Sequence, residues 1–149
     1  MNYIRKATKA DAGRVAEIVI FNYRLYFYPI FQSDEFYFDE LQVVPLAKAL
    51  EEDENLLCRT YVYDDSAVKG FIRVNGDEVE KLFVEPALQG RQIGEKLLRF
   101  ALAEHGVSWL WALEKNTRAI CFYERNGFHK TDVRKLEEDT TEYLVRMER

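Results

Sequence analysis

The chain has 149 residues, of which 48% are apolar, 14% aromatic and 32% charged, as expected for one globular domain spanning residues 1–149. Its 21 basic and 26 acidic residues give a net charge of -5, which argues against general attraction to nucleic acid or to an anionic membrane. The sequence contains neither the roughly 18-residue apolar run of a spanning helix nor a recognisable secretory signal, so we expect a cytoplasmic protein.

The first third of the chain predicts a strand followed by two helices. The segment NYIRKAT alternates apolar and polar residues, as a strand does. Thr8 and Asp11 form a capping pair, so helix one is predicted from about Lys9 to the high twenties, where Pro29 ends it. The aromatic and acidic segment over residues 25–40 is predicted to be a loop that leads into a second helix over roughly residues 38–51.

The two cysteines carry a separate prediction. Cys58 and Cys121 are far apart and form no C-x-x-C pair, which argues against a zinc site or a disulfide framework. We therefore expect two buried, reduced thiols.

The rest of the chain predicts a mixed sheet. LLCRTYVY, AVKGFIRV and EVEKLFV are separated by turn signals and predict three antiparallel strands. A helix that Gly106 ends is followed by VSWLWAL, predicted to be an interior strand parallel to EVEKLFV. NTRAICFYERNG predicts another short helix, and FHKTDVRKL and TEYLVRME predict two closing strands. The order places helices on both faces of the sheet.

The stretch EPALQGRQIGEKLLRF leads from a strand into a helix and has the features of an anion site. The first N–H groups of a helix have no internal partner and lie at the positive end of its dipole. Gly90 and Gly94 let an anion approach without a Cβ, and Arg91 adds positive charge within an acidic chain. On this stretch alone, a tight turn in which the glycines only allow close packing is equally well supported.

A second stretch, NTRAICFYERNGF, places Asn116, Ala119 and Tyr123 on one helical face. Together the two stretches resemble the GNAT superfamily of acyl-CoA-dependent N-acetyltransferases. Residues 89–94 match its motif Q/R-x-x-G-x-G/A, except that Gln92 replaces the first glycine of G-x-G/A. The later motif N-x-x-A-x-x-F-Y-x-x-x-G-F is matched at every specified position of residues 116–128. We expect Gln92 to have a helical backbone with negative φ.

The resemblance implies a GNAT-like fold of the mixed α/β (α+β) class, with six to seven mostly antiparallel strands and about four helices on both faces. It also implies acetyl-CoA as co-substrate and no metal. The residues that it places at the coenzyme are Leu82, Phe83 and Val84 along the pantetheine arm, Gln89, Gly90, Arg91, Gln92, Ile93 and Gly94 around the pyrophosphate, and Asn116, Ala119 and Tyr123 on the later helix.

Three residues are candidates for the chemistry of acetyl transfer to an amine. Tyr123, matching the family's tyrosine near the coenzyme sulfur, is a candidate acid toward the departing thiolate, the alternative being a packed helix aromatic. Glu78 is the candidate base and Glu80 the reserve, the alternative being solvated residues at a strand start. Both are expected on the same strand face as Leu82 and Val84.

The acceptor pocket is predicted from the region between the first two helices. Tyr26, Tyr28, Phe31 and Tyr37 are candidates to line it, and a core or homodimer contact is the alternative role for these aromatics. The favoured function is direct transfer of acetyl from acetyl-CoA to a primary amine, on a small molecule or a peptide, in a ternary complex. A non-catalytic acyl-CoA-binding module and an unrelated nucleotide-binding domain are the rival hypotheses.

Overall fold

A computed structural model describes residues 2–149. One sheet of seven strands runs in the order β1-β2-β3-β4-β5-β7-β6. The strands are β1 Ile4–Lys6, β2 Thr60–Asp64, β3 Val68–Asn75, β4 Glu78–Val84, β5 Trp109–Leu113, β6 His129–Leu136 and β7 Tyr143–Glu148. All neighbouring strands are antiparallel except β4 and β5, which are parallel as predicted.

Helices cover both faces of this sheet. Within residues 2–149 the α-helices are α1 Ala12–Asn22, α2 Tyr28–Phe31, α3 Val43–Glu51, α4 Glu54–Cys58, α5 Ile93–His105 and α6 Thr117–Arg125. One core cluster joins α5 and α6 to the sheet, and a second joins α1 and α3 to the opposite face. The predicted mixed α/β class and mostly antiparallel sheet are confirmed.

Helix one differs from its prediction because the helical run does not end at Pro29. A π-helical segment, Tyr23–Phe27, follows α1 and leads into α2. Pro29 lies in the first turn of α2, directly after the π-helical segment. Gln32, with φ of 56°, ends the run.

Two further predicted boundaries were wrong. The predicted second helix over residues 38–51 is a π-helical segment, Glu35–Glu40, followed by α3. In LLCRTYVY the first three residues belong to α4, because the Asp53 carboxylate accepts a hydrogen bond from the N–H of Leu56 and caps a helix there. The strand begins only at Thr60.

The start of the chain is held by a buried carboxylate. Asp11 accepts hydrogen bonds from the backbone N–H of Thr8 at 2.8 Å and from the Arg5 guanidinium at 2.8 Å and 2.9 Å. The hydrogen bond from Arg5 is the main reason why the pKa of Asp11 lies below its usual value. These contacts fix β1 against the beginning of α1.

The cysteine prediction was right about the absence of pairing and wrong about burial. Cys58 and Cys121 are both free and both exposed. Cys58 is the last residue of α4 and Cys121 lies on the outer face of α6, so neither position belongs to a core. None of the helices within residues 2–149 has the length and apolar character needed to cross a bilayer.

Candidate active site

The site forms where β4 and β5 separate. These parallel strands pair only through Glu78 with Trp109 and Val79 with Leu110, and then diverge. A cleft of about 550 Å³ lies at this divergence and extends between α5, α6 and the π-helical segment after α1, which is within the size range of small-molecule sites.

A β-bulge in β4 decides which side chains face which side of the cleft. Arg73 of β3 pairs with Lys81, but its neighbour Val74 pairs with Val79, so Glu80 is an extra residue without a partner. As a result Val79 and Leu82, three residues apart, both contact the core beneath α5.

The expected common face of Glu78, Glu80, Leu82 and Val84 was therefore wrong. Leu82 and Val84 contact the α5 core. Glu80 instead forms an ion pair with Arg73, whose guanidinium lies over the ring of Phe71 in the core beneath α1. The alternation on which the expectation relied does not continue through a bulge.

The two glutamates have different environments. The Glu80 carboxylate lies 3.3 Å from Nη1 of Arg59 and 3.8 Å from Nε of Arg73. Glu78 forms no ion pair within residues 2–149. Burial, together with the nearby charge of Glu80, raises the pKa of Glu78 above the usual value for glutamate. Glu78 thus has the properties of a proton acceptor, and Glu80 is neutralised by two arginines.

The loop before α5 leads into the helix at the place where an anion-binding terminus is predicted, although one residue has an unexpected conformation. Gln92 has φ of 67°, so the predicted helical backbone with negative φ was wrong. It is the residue immediately before α5, and its left-handed backbone turns the chain into the helix. Gly90, with φ of 84°, contributes a second left-handed turn.

The packing around Gly94 leaves room for a side-chain carbon. A Cβ on Gly94 would lie 3.5 Å from a methyl group of Val84 and 3.6 Å from the ring of Phe122, which are ordinary van der Waals distances. The first N–H groups of α5 have no partner within the helix, and Gln92, Ile93 and Gly94 line the cleft, which is the arrangement that an anion site requires.

Gln89 has a different role from its neighbours, because its side chain is held by protein groups. Its amide oxygen accepts hydrogen bonds from the Tyr26 hydroxyl and the Arg118 guanidinium. Its amide nitrogen donates to Oδ1 of Asn22 and to the carbonyl of Val84, both at 3.1 Å. This Gln89 network joins α1, the π-helical segment, β4 and α6.

Two members of the Gln89 network were not identified from the sequence. Asn22, only 2% exposed, also donates to the carbonyl of Val84 at 2.9 Å. The guanidinium of Arg118 lies 4.2 Å from the ring centre of Tyr26 and lines the cleft. A polar residue on the otherwise apolar face of helix one was the available signal for Asn22.

Helix α6 brings its predicted residues to the cleft. The Asn116 side chain accepts a hydrogen bond from the N–H of Ala119 at 3.3 Å and caps the helix. Tyr123 is 9% exposed, and its ring contacts those of Phe122 and Phe128. Burial raises the pKa of the Tyr123 phenol, which therefore stays protonated and able to donate.

The predicted acceptor residues divide into two groups. Tyr26 lines the cleft, whereas Tyr28, Phe31 and Tyr37 lie outside its lining and contact one another. Burial raises the pKa of Tyr37 to about 12, consistent with its place in the interior. Arg91 also lies outside the lining of the cleft, and its side chain is exposed.

Several lining residues were not predicted. Tyr23 and Phe27 stack at 4.8 Å from opposite ends of the π-helical segment, and Lys81 and Trp111 extend from β4 and β5. The helix periodicity assumed for residues 9 to 28 does not describe a π-helical turn, so the sequence pattern did not separate these aromatics from the others. No group of three or more His, Cys, Asp or Glu side chains in residues 2–149 is placed to hold a metal ion.

Comparison with known proteins identifies related sequences. Residues 57–130 match the family model described as "Acetyltransferase (GNAT) domain". The chain is 33% identical over 70 residues to the peptidyl-lysine N-acetyltransferase YjaB of Salmonella typhimurium, a match that covers 47% of this chain. It is also 33% identical over 70 residues to the peptidyl-lysine N-acetyltransferase YiaC of Escherichia coli. The chain spans about half the length of these curated relatives, 48% in each case.

Solved structures show the same fold over nearly the whole chain. The apo form of YjaB from Escherichia coli superimposes with a TM-score of 0.79 and 20% identity, covering 97% of this chain and 95% of that one. The PaiA N-acetyltransferase of Thermoplasma acidophilum, solved in complex with coenzyme A, gives a TM-score of 0.69 and 20% identity, with 98% of both chains covered.

Proposed function

Because the chain belongs to the GNAT superfamily, we propose that it transfers an acetyl group from acetyl-CoA to a primary amine by direct attack in a ternary complex. The observation that carries the proposal is the divergence of β4 and β5 beside the open end of α5, with Glu78 and Tyr123 in the same cleft. This arrangement combines an anion site, an unpaired strand edge and two groups able to move protons.

The coenzyme has a suitable place along one wall of the cleft. The unpartnered N–H groups at the start of α5 suit its diphosphate, and the positive φ of Gly90 and Gln92 directs the loop around that position. The edge of β4 over residues 82–84 faces the divergence and is available to pair with the pantetheine arm. The Gln89 network holds the loop in this shape through hydrogen bonds to Asn22 and Val84. Gln89 therefore positions the loop, and its side chain is not proposed to bind phosphate.

Glu78 is the proposed base. An amine of the lysine type has a pKa near 10.4 and must lose a proton before it attacks. The raised pKa of Glu78 strengthens its carboxylate as a proton acceptor, directly or through water, while the ion pairs of Glu80 make it the weaker candidate. Backbone N–H groups of β4 beyond the bulge are suited to stabilise the oxyanion that forms during transfer.

Tyr123 is the proposed donor to the departing sulfur. A coenzyme thiol has a pKa of about 8.5 by analogy with cysteine, well below that of a buried phenol. The Tyr123 hydroxyl therefore stabilises the thiolate chiefly as a hydrogen-bond donor, and the proton released by the amine neutralises the sulfur.

The proposed acceptor is the lysine side chain of a peptide. The carboxylates of Glu78 and Glu137 line the cleft and suit a cationic amine, and the aromatic rings of Tyr23 and Phe27 suit an aliphatic stem. The two relatives named as peptidyl-lysine N-acetyltransferases support the same class. A homodimer contact through the aromatics outside the cleft remains a prediction.

Release of free thiol from acetyl-CoA across a panel of lysine peptides and small amines tests the proposal. We expect turnover that depends on a primary amine, with lysine peptides as the better substrates. Thermal stabilisation by coenzyme A without turnover on any acceptor would instead identify a binding module. Stabilisation by ATP or NAD but not by coenzyme A would contradict both readings.

A further inference from the structure

Among residues 2–149, Lys81 is the one lysine that lines the cleft. It is half-buried and follows the β-bulge of β4, directly before Leu82. Its ammonium donates a 2.7 Å hydrogen bond to the Tyr23 hydroxyl and lies 5.4 Å from the centre of the Tyr23 ring. Lys81 thus extends toward the side of the sheet on which the acceptor is proposed to bind.

Within residues 2–149 the charge of Lys81 is not used in an ion pair, whereas Lys69 and Lys115 are paired. Lys69 contacts Asp65 at 3.4 Å, and Lys115 contacts Glu142 at 3.0 Å. The ammonium of Lys81 is held only by an aromatic ring and a neutral hydroxyl, on a flexible four-carbon stem. Such contacts leave the side chain free to exchange positions within the cleft.

We propose that Lys81 is itself an acetyl acceptor, so that the protein acetylates its own Lys81 Nζ. This inference rests on the proposed function, because it uses the same donor and the same groups. Lys81 and Glu78 lie on one strand, and both line the cleft that Tyr123 also lines, so one cleft contains the amine, the base and the hydrogen-bond donor.

The chemical step balances without any other reactant. The Lys81 ammonium gives one proton to Glu78 or to water, and the neutral Nζ attacks the thioester carbonyl. The new C–N bond forms as the C–S bond breaks, and the second amine proton passes to the departing sulfur. The products are an amide at Lys81, free coenzyme A and one proton released to solvent.

Acetylation would change the cleft at this point. The amide carries no charge and is bulkier than the ammonium, and it would occupy space beside Tyr23 and Phe27 on the acceptor side. Preincubation with acetyl-CoA is therefore expected to slow later transfer to a peptide, and Lys81→Arg, which keeps the charge but is not acetylated, is expected to abolish this slowing.

The test is peptide-mapping mass spectrometry of the full chain after timed incubation with acetyl-CoA alone, in parallel with a lysine-peptide assay. Lys115, exposed and outside the cleft, reports the non-enzymatic rate, and Lys115→Arg is the matched control variant. We expect Lys81 to be acetylated at least about tenfold faster than Lys115, because proximity makes the reaction intramolecular. The fraction acetylated at a given time should not depend on protein concentration, and Glu78→Gln should reduce it.

Two results would overturn the inference separately from the proposed function. Peptide acetylation with Lys81 modified no faster than Lys115 would contradict the inference and leave the proposed function intact. A Lys81 rate that rises with protein concentration would contradict the intramolecular step. Binding of coenzyme A without acetylation of either peptide or Lys81 would contradict the proposed function and with it the inference.

Discussion

At the scale of single residues, the bulge in β4 gives different surroundings to two glutamates, Glu78 and Glu80, that the sequence predicted to lie on one strand face. Glu80 is ion-paired with Arg59 and Arg73, whereas Glu78 is partly buried and has a pKa that burial and the charge of Glu80 raise. The site therefore contains one carboxylate, Glu78, that is suited to accept a proton, and a second, Glu80, whose charge raises the pKa of the first.

This difference predicts distinct pH profiles for two matched variants. Glu78→Gln should lower kcat by about a hundredfold, the usual contribution of a general base, and remove the acidic limb of the profile. Glu80→Gln should keep that limb but move it to lower pH, because loss of a neighbouring negative charge lowers the pKa of Glu78. The measurement is kcat/KM against pH for both variants and the unchanged protein. A Glu78→Gln protein with full activity and an unchanged acidic limb would remove Glu78 from the role of base.

Tyr123 makes a second prediction at this scale. Tyr123→Phe should lower kcat and leave the Kd of coenzyme A largely unchanged, because the ring still packs against Phe122 and Phe128 while the donor is lost. Since burial raises the pKa of the phenol, its ionisation should produce no loss of activity below about pH 10. Calorimetric binding and single-turnover kinetics measure the two quantities separately. Unchanged turnover in Tyr123→Phe would show that the hydroxyl does not assist the departing thiolate.

At the scale of elements, the entry to α5 depends on a residue in an unfavourable conformation. Gln92 adopts φ of 67°, which is costly for a residue with a Cβ and not for glycine. Because its side chain is exposed and makes no capping hydrogen bond, no contact of that side chain accounts for its presence.

The left-handed conformation of Gln92 predicts an inverted order of stability in two variants. Gln92→Gly should be more stable than Gln92→Ala by about 1 kcal/mol, although alanine is normally preferred near a helix. Urea unfolding of both variants measures the difference. Greater stability of the alanine variant would indicate that the backbone at residue 92 has negative φ, as the sequence had suggested.

The Gln89 network joins the elements around the cleft and makes its own prediction. Gln89→Leu leaves Oδ1 of Asn22 and the carbonyl of Val84 without their bonds from Gln89. The unfolding free energy should fall by about 1–3 kcal/mol, and KM for the acceptor should rise because the π-helical segment loses its attachment to the loop. Gln42→Leu is the control, since Gln42 is exposed and its amide makes one hydrogen bond, to the carbonyl of Asp39. Equal effects of the two substitutions would contradict the network's role.

At the scale of the whole molecule, the sequence predicted the fold and about half of the residues that line the cleft. The order of strands and helices and the parallel pair followed from hydrophobic alternation and turn signals, whereas the cleft residues of the two motifs followed from the resemblance to the GNAT superfamily. The errors arose where the backbone leaves its regular period, at the bulge of Glu80, at Gln92 and in the π-helical segments. The bulge adds one residue to β4, φ is positive at Gln92, and the π-helical segments have a wider turn than an α-helix. None of these changes appears in the regular alternation along the sequence.

The position of bound coenzyme A, determined in a crystal structure of the complex, is the decisive measurement. We expect the diphosphate at the N–H groups that begin α5, the pantetheine arm along residues 82–84 of β4 in the opening beside β5, and the sulfur next to the Tyr123 hydroxyl. Coenzyme A bound outside this cleft, or a diphosphate held elsewhere than at residues 89–94, would contradict this expectation.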